Sequence, residues 1–286
     1  MRTGSQSLKI FAVALVLCSL WTIARSRLPK PELGETNYTA NRLRIERFLE
    51  TPAPRCLIVG TSIAGRLLPS YFEGSNFENI VNLGLDGASP ITGLLLALEQ
   101  DYTPRLILLE AHRLRNPIDS NDGQLLALSR GMDQHFHQHV TLTKAESRPT
   151  TVLYSFLKSR QGAGGAQLAA NRQTNNVTEI SKPGEKRDEL LLDTIQALQA
   201  RGSKVVLLRL PVGRENPADP KAEDYIDLSA KRLGLPIIDL YRKSLDWENP
   251  VHYSDGLHLA PESARRLAKT LVEHVARWPG GSTQRR

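Results

Sequence analysis

Short apolar runs alternate with longer segments of helical periodicity along most of the chain. Five runs dominated by aliphatic residues are predicted to be strands buried on both faces, at 56–60, 79–83, 105–109, 204–208 and 235–239. Helices are predicted between and around them, at 63–68, 91–100, 185–200, 222–233 and 261–277. Strands that alternate with helices indicate a parallel, doubly wound α/β sheet. Right-handed crossovers then place the loops that follow the strands together at one edge.

The N-terminal part of the chain contains an uncharged apolar run. Residues 10–24 carry no charge, and their length suits a signal sequence or a short membrane anchor. Trp21 beside Arg25 and Arg27 is typical of an interfacial anchor, and no clear small-residue cleavage site follows. We therefore expect residues 1–27 to be a signal or membrane anchor, and we favour an uncleaved one. The domain would be exported to the periplasmic or extracytoplasmic side, and cleavage would make it secreted.

The remaining chain divides by composition. Residues 28–51 are polar with scattered Pro and Gly, which predicts a linker that leads into the domain, with one possible helix at 41–49 that could lie across the domain. Residues 52–279 are predicted to form the α/β domain, and residues 280–286 a tail. With 40% hydrophobic and 23% charged residues, the 286-residue chain has the composition of an ordinary globular protein.

Charge and cysteine content narrow the class of partner. The net charge is +7, but basic residues are spread among acidic ones and lack the aromatic interleaving of a single-strand binder. Nucleic acid is therefore not an expected partner, whereas a cationic surface would suit an envelope rich in anionic lipid or polysaccharide. Cys18 lies in the apolar run and Cys56 in a predicted strand, so the sequence predicts no disulfide framework.

A short motif near the C-terminal end is typical of hydrolytic sites. In the segment DGLH, Asp255 stands three residues before His258. A His at this spacing can act as a general base while the Asp fixes its tautomer. The motif also occurs by chance, but here it precedes an amphipathic segment with Pro261 in its first turn. We interpret the two residues as the acid and base of a triad.

A serine follows the first predicted strand. Ser62 ends the segment Gly60-Thr61-Ser62 and precedes a predicted helix. One interpretation is a nucleophile at the carboxyl edge of the sheet, with its N–H placed to stabilise an oxyanion. The other is a helix N-cap, a common position for Ser at strand-to-helix turns. This segment alone does not separate them.

Four short motifs, called blocks below, together resemble the conserved motifs of the SGNH, or GDSL-type, hydrolase superfamily, and the resemblance covers roughly residues 55–278. The family's first block is usually G-D-S, and residues 60–62 match it with Thr in the middle. The last block, Asp-x-x-His, matches in full. The resemblance implies a three-layer α/β/α domain with a flavodoxin-like five-stranded sheet. It also implies that Ser62 is the nucleophile, His258 the general base and Asp255 its orienting partner.

In this family the second block, a glycine turn, supplies part of the oxyanion hole. Residues 82–89, NLGLDGAS, match it, and by that match the backbone N–H of Gly87 is a donor. The alternative is that Gly84 and Gly87 only permit positive φ in a tight turn.

The third block departs from the family pattern. Where the family has G-x-N-D, residues 110–113 are E-A-H-R, so His112 stands at the position of the Asn that completes the hole. An imidazole can donate one hydrogen bond to an oxyanion, so the role can survive the change. Arg113 and Asn116 are close enough in sequence to compete for it, and His112 could instead be a structural polar residue.

Residues 117–182 form the segment whose pattern is least informative. The glycine-rich run at 161–166 lacks a preceding strand and a lysine, so it is predicted to be a loop and no phosphate site, and no cofactor is expected. His135, His137 and His139 alternate, as metal ligands on a strand would, but such clusters are more often a solvated surface, and we expect no metal site. Long insertions tend to be functional, so this one could form a cap or a partner surface over the Ser62 pocket.

The function expected from these features is a serine esterase acting on O-acyl, in particular acetyl, esters of an envelope carbohydrate. The alternatives are an O-acetyltransferase of polysaccharide acetylation beside a membrane acyltransferase partner, a lipid or small-molecule esterase, and a catalytically impaired envelope binding protein. The altered third block is the argument for the last of these.

Overall fold

One parallel sheet forms the centre of the protein. The computed structural model describes residues 3–75, 79–114, 116–130, 143–160, 185–213 and 220–276. Its five strands lie in the order β2-β1-β3-β4-β5 and every neighbouring pair is parallel. They are β1 (Cys56–Thr61), β2 (Ile80–Leu85), β3 (Leu106–Glu110), β4 (Lys204–Arg209) and β5 (Ile237–Asp239). All five lie where the apolar runs predicted them.

The structure describes nine α-helices, and those expected at 41–49, 91–100, 185–200, 222–233 and 261–277 are among them. They are α1 (Thr3–Ser26), α2 (Asn37–Glu50), α3 (Pro90–Leu98), α4 (Ser120–Ala127), α5 (Pro149–Arg160), α6 (Glu185–Ala200), α7 (Pro220–Leu233), α8 (Leu240–Leu245) and α9 (Pro261–Ala276). Leu57 and Val59 of β1 belong to one buried cluster, while Cys56 and Ile58 belong to a second, because alternate strand side chains point to opposite faces. The sheet is therefore covered on both faces, and the predicted three-layer, doubly wound fold is confirmed.

The predicted helix at 63–68 is wrong. A single 3₁₀ turn, Ala64–Arg66, follows β1, and a second one spans Pro69–Phe72. The side-chain amide of Asn82 donates to the carbonyl oxygens of Ala64 (2.8 Å) and Leu67 (2.7 Å). These carbonyls are satisfied by a side chain of β2 rather than by a continuing helix.

Helix α2 packs into the α/β domain, although it lies before residue 52, where the domain was predicted to begin. The helix begins after Thr36, whose side chain accepts the Thr39 N–H, and it packs against β2. Ile45 and Phe48 are fully buried in the cluster on this face of the sheet. The segment 28–51 therefore holds an integral helix of the domain in addition to a linker.

Helix α1 is attached to the domain at its C-terminal end. It contains a stretch, Gln6–Ser26, that is long and apolar enough to cross a membrane. The Trp21 indole donates to the Ser147 carbonyl oxygen at 2.7 Å, and Arg25 donates to that of Glu146 at 2.8 Å. Arg25 is itself buried. The apolar helix is thus bonded at its last turns to the segment that precedes α5.

The segment 117–182 contains the helices α4 and α5. The three histidines His135, His137 and His139, the glycine-rich run at 161–166 and the tail at 280–286 lie outside the described residues, as does much of the predicted cap.

Candidate active site

Ser62, His258 and Asp255 meet at the carboxyl edge of the sheet. Ser62 directly follows β1, and its Oγ lies 2.8 Å from His258 Nε2. On the other side of the ring, His258 Nδ1 lies 2.6 Å from Asp255 Oδ2. The tautomer with its proton on Nδ1 satisfies both contacts, because Nδ1–H then donates to the carboxylate and Nε2 accepts from the serine hydroxyl. This is the geometry of a nucleophile, a general base and its orienting partner.

The loop that carries His258 is held by its own backbone. The Ser254 N–H donates to the His258 carbonyl oxygen at 2.8 Å, and the Ala260 N–H donates to that of His252 at 2.9 Å. Gly213, in the loop after β4, lies so close that a Cβ there would overlap the Gly256 carbonyl. Only glycine fits at 213, so the loop after β4 packs directly against the segment between Asp255 and His258.

Asp255 is held in its ionised form. Partial burial by itself would raise its pKa, but the backbone and ring N–H groups of His258 and the Leu257 N–H lower the pKa overall. Oδ1 accepts the His258 N–H at 2.7 Å and the Leu257 N–H at 3.1 Å, while Oδ2 is left for the imidazole. The carboxylate is therefore fixed in orientation as well as in charge.

A buried glutamate lies beneath the Ser62 turn. Glu110, at the end of β3, is fully buried. Its Oε2 accepts the backbone N–H groups of Thr61 at 2.8 Å and Ala64 at 3.2 Å, and its Oε1 accepts the Thr61 hydroxyl at 3.0 Å. Within the described part of the chain, the Ser62 N–H has no acceptor. This donor is therefore available to a ligand.

The glycine turn lies beside Ser62. Thr61 pairs with Leu85 in the sheet, so Ser62 and the residues after Leu85 leave their strands at the same level. Gly87 has a φ of +72°, which favours glycine, and its N–H has no acceptor among the residues described. The conformational alternative therefore applies to Gly87, and its N–H is also available as a donor.

Gly84 is required for a different reason. It does not have positive φ, but a Cβ on it would overlap the backbone of Gly65 in the turn after Ser62. The backbone of β2 at Gly84 therefore lies directly against the backbone of the turn after Ser62.

Helix α2 holds the glycine turn from outside the sheet. Asn41 Nδ2 donates to the Asp86 carbonyl oxygen at 2.9 Å, and the Asp86 N–H donates to Asn41 Oδ1 at 2.6 Å. Arg44 donates to the Asp86 carboxylate at 2.8 Å and also to the Gly84 carbonyl oxygen. Burial by itself would raise the pKa of Asp86, but Arg44 and Arg66 lower it overall. Asp86 therefore stays charged next to Gly87.

His112 follows β3 at the level where Ser62 follows β1, since Val59 pairs with Leu109. Burial, together with the positive charges of Arg209 and Arg113, lowers the pKa of His112 to about 4. The imidazole is therefore neutral near pH 7. Its Nδ1 is buried without a partner in the described structure. A buried lone pair without a partner is better tolerated than a buried N–H, so the proton belongs on Nε2, where it is available for donation.

Arg113 and Asn116, the two alternatives to His112, form backbone hydrogen bonds in the same loop. The Asn116 N–H donates to the Arg113 carbonyl oxygen at 2.9 Å, and the Asn116 carbonyl oxygen accepts the Ser89 hydroxyl at 3.0 Å. These bonds shape the loop after β3 and the start of α3, where Ser89 is the N-cap.

A groove of about 1280 Å³ opens on another part of the surface. It lies between Trp21 of α1, the segment 28–33, the second 3₁₀ turn and α5, and it reaches the first turn of α9 at Pro261. Neither Ser62 nor His258 lines it. The triad is therefore not its floor.

Sequence reasoning did not identify Glu110, Asn41 or Arg44 as parts of this site. Glu110 carried a signal, since it ends an otherwise aliphatic strand. Asn41 and Arg44 lie in a polar segment and carried none, because their burial depends on how α2 packs.

Comparisons with known proteins find likeness in structure only. No protein family and no curated protein matches the sequence. A "putative acylhydrolase" from Bacteroides fragilis has a similar structure, with 15% identity and a TM-score of 0.45, over 85% of this chain and all of the other. A protein described as TesA matches with 14% identity and a TM-score of 0.39, over 77% of this chain and 97% of the other.

Proposed function

We propose that this protein is a membrane-anchored serine esterase of SGNH type that acts on O-acyl, in particular acetyl, esters of an envelope carbohydrate. The observation that carries the proposal is the hydrogen-bonded chain from Ser62 through His258 to Asp255, with contacts of 2.8 and 2.6 Å. Ser62, which is distant in sequence from His258 and Asp255, lies with them in the geometry that nucleophilic acyl chemistry requires.

The arrangement supports a two-step reaction. Ser62 Oγ attacks the ester carbonyl carbon while His258 Nε2 takes the hydroxyl proton. The carbonyl oxygen becomes an oxyanion that accepts from the N–H groups of Ser62 and Gly87 and from the His112 imidazole. His258 then gives its proton to the leaving alkoxide, and the ester C–O bond breaks to leave an acyl group on Ser62. Water attacks this acyl group with His258 again as base, which releases the acid and restores Ser62.

The proposed location follows from α1. Its apolar stretch suits a single anchor, and its contacts through Trp21 and Arg25 would hold the domain next to the membrane. An O-acylated envelope polysaccharide would be an ester substrate within reach of such a domain. The net charge of +7 would favour an anionic one.

The same triad would perform transfer if a sugar hydroxyl replaced water in the second step. The protein would then receive its acyl group from a membrane acyltransferase partner beside the anchor. Hydrolysis and transfer differ in the acceptor, so the products distinguish them.

The test uses the full-length protein in detergent micelles with p-nitrophenyl acetate. We expect turnover by the wild type and its loss in Ser62→Ala and His258→Ala. Equal rates in the three proteins would exclude the esterase and leave a binding protein. A glycan acceptor added to the wild type should remain unacylated if the protein is a hydrolase, and acylated sugar would identify a transferase.

Location is tested separately by cell fractionation. We expect the full chain in the membrane fraction with residues 1–27 intact by mass spectrometry. Deletion of residues 1–27 should release the protein, and recovery of a shortened chain in the soluble exported fraction would identify a cleaved signal instead.

A further inference from the structure

Three of the four backbone N–H groups of the Ser62 turn, residues 61–64, have a hydrogen-bond acceptor. Thr61 and Ala64 donate to Glu110 Oε2, at 2.8 and 3.2 Å. The Ile63 N–H is directed at the Thr61 hydroxyl oxygen at 3.4 Å. Only the Ser62 N–H has no acceptor among the described residues. The turn therefore presents a single N–H, that of the nucleophile itself.

Two side chains produce this arrangement. Glu110 is fully buried, and Thr61 is 5% exposed. The Thr61 hydroxyl lies 3.0 and 3.1 Å from the two carboxyl oxygens of Glu110, so it donates to the carboxyl group while it accepts from Ile63. The hydrogen bonds of this pair join residues 61 and 64 of the turn, and Ser62 lies between these two residues.

The space for the carboxyl group comes from a neighbouring glycine. A Cβ on Gly60 would lie 2.5 Å from Glu110 Oε2 and 2.7 Å from the Ala64 Cβ. Glu110 therefore occupies the volume that a side chain at residue 60 would fill. The fit is tight enough that the turn cannot shift without moving the carboxyl group.

We propose that Glu110 and Thr61 are positioning residues for Ser62, which fix its Oγ against His258 and leave its N–H as the oxyanion donor. This inference rests on the proposed esterase function. The two positions are also among those at which the chain departs from the family motifs, since Thr61 stands where G-D-S has Asp and Glu110 stands where G-x-N-D has Gly. The two departures contact each other.

The role needs the shape and hydrogen bonds of the carboxyl group rather than its charge. Burial raises the pKa of Glu110, and the N–H groups of Thr61 and Ala64 oppose this only in part. A glutamine at 110 can place its carbonyl oxygen where Oε2 accepts both N–H groups, and its amide can donate to the Thr61 hydroxyl oxygen. The conservative variant should therefore rescue the loss seen with alanine.

The kinetic test measures kcat and KM of the full-length protein toward p-nitrophenyl acetate. Glu110→Ala should lower kcat by about 100-fold with KM changed by less than about threefold, as expected for a displaced nucleophile. Glu110→Gln should restore most of kcat. Thr61→Val, which keeps the shape and removes the hydroxyl, should lower kcat by about 10-fold, while Thr61→Ser should not. The Glu110→Ala and Thr61→Val effects should be less than additive, since both act on one turn.

Glu46→Ala is the matched control. Glu46 is also a buried glutamate, but its carboxylate accepts from the Arg42 guanidinium at 2.7 Å and from the Ala145 N–H at 2.8 Å rather than from the Ser62 turn. It should lower thermal stability and leave kcat unchanged. Equal losses of kcat in Glu46→Ala and Glu110→Ala would show a general folding effect and overturn the proposal, as would an unchanged kcat in both Glu110→Ala and Thr61→Val.

Amide hydrogen exchange tests the same placement without catalysis. The Thr61 and Ala64 amides should be protected in the wild type and in Glu110→Gln, and should exchange faster in Glu110→Ala. Unchanged protection would contradict the placement. If wild type and Ser62→Ala hydrolyse the ester equally, the esterase proposal fails on its own, and the exchange result still decides whether Glu110 holds the turn.

Discussion

His258 Nε2 lies 2.8 Å from Ser62 Oγ, although 196 positions separate the two residues in the chain. Ser62 leaves the end of β1, while His258 stands on the loop before α9. In a parallel sheet these loops emerge at one edge, so the topology brings them together.

The contact between Ser62 and His258 gives a direct prediction. If Ser62 and His258 are the proposed nucleophile and base, then Ser62→Ala, His258→Ala and the double variant should lose ester turnover to the same extent, because such a pair acts as one unit. Losses that multiply in the double variant would argue against a shared step.

Replacing the orienting carboxylate should impair catalysis without removing the nucleophile. In Asp255→Asn the amide no longer favours the tautomer with a proton on Nδ1, so kcat should fall by about 1000-fold or more. Asp246→Asn is the control, since it neutralises an exposed carboxylate outside the triad. A kcat in Asp255→Asn within about tenfold of that control would show that Asp255 does not orient the base.

The oxyanion role of His112 is tested by a pair of variants. His112→Ala should lower kcat by about 100-fold, the typical effect of losing one oxyanion donor. His112→Asn should recover activity, because an amide N–H can replace the imidazole N–H. Steady-state kinetics distinguish this from a structural role, which would predict equal kcat in both variants.

His112 should also make stability depend on pH. Its pKa is about 4 in the folded protein against a usual value of 6.5, so the unfolded chain binds the proton more tightly. The folded state therefore loses stability as pH falls from about 6.5 towards 4, by up to about 3 kcal/mol. Thermal unfolding of wild type and His112→Asn at pH 7.5 and pH 4.5 isolates this contribution. We expect the fall in Tm between pH 7.5 and pH 4.5 to be smaller in the variant. Equal falls in the two proteins would show that His112 does not contribute to the pH dependence of stability.

The bonds between Asn41 and Asp86 predict that α2 supports the glycine turn. Asn41→Ala leaves a buried N–H and a carbonyl oxygen of Asp86 without their partner, which should lower the free energy of unfolding by about 1–3 kcal/mol. It should also lower kcat, since Gly87 follows directly. Tyr38→Ala, at an exposed position of the same helix, is the control. Chemical unfolding and steady-state kinetics check both effects.

A truncation extends the same test. A protein that begins at residue 28 keeps α2 and should fold and turn over ester as the full chain does. One that begins at residue 52, the boundary suggested by composition, lacks Ile45 and Phe48 of the core and should be unstable. Full activity of the shorter protein would contradict the assigned role of α2.

The strands were predictable because each is buried on both faces and therefore consists mostly of aliphatic residues. The helix proposed after Ser62 was wrong because apolar periodicity over a few residues does not reveal the Asn82 amide that takes its carbonyl oxygens. A helix at 41–49 that could lie across the domain was expected, but its burial was not predictable, because Asn41, Arg42 and Arg44 are polar and are nevertheless buried with hydrogen bonds. The composition of the segment shows that these residues are polar, but it does not show the hydrogen-bond partners that allow them to be buried.

The sequence by itself determined the five strands, the helices near 91–100, 185–200, 222–233 and 261–277, the apolar N-terminal stretch, and the residue types of a candidate triad in which Asp255 precedes His258 by three residues. These follow from local periodicity and from chemistry that few residue types can perform. Only the tertiary structure decided that Glu110 lies under Ser62 and that Asn41 holds Asp86. It also decided that His112 has its Nδ1 buried. The physical reason is that hydrogen-bond partners and desolvation depend on which distant segments pack together, and no periodicity along the chain encodes those distances.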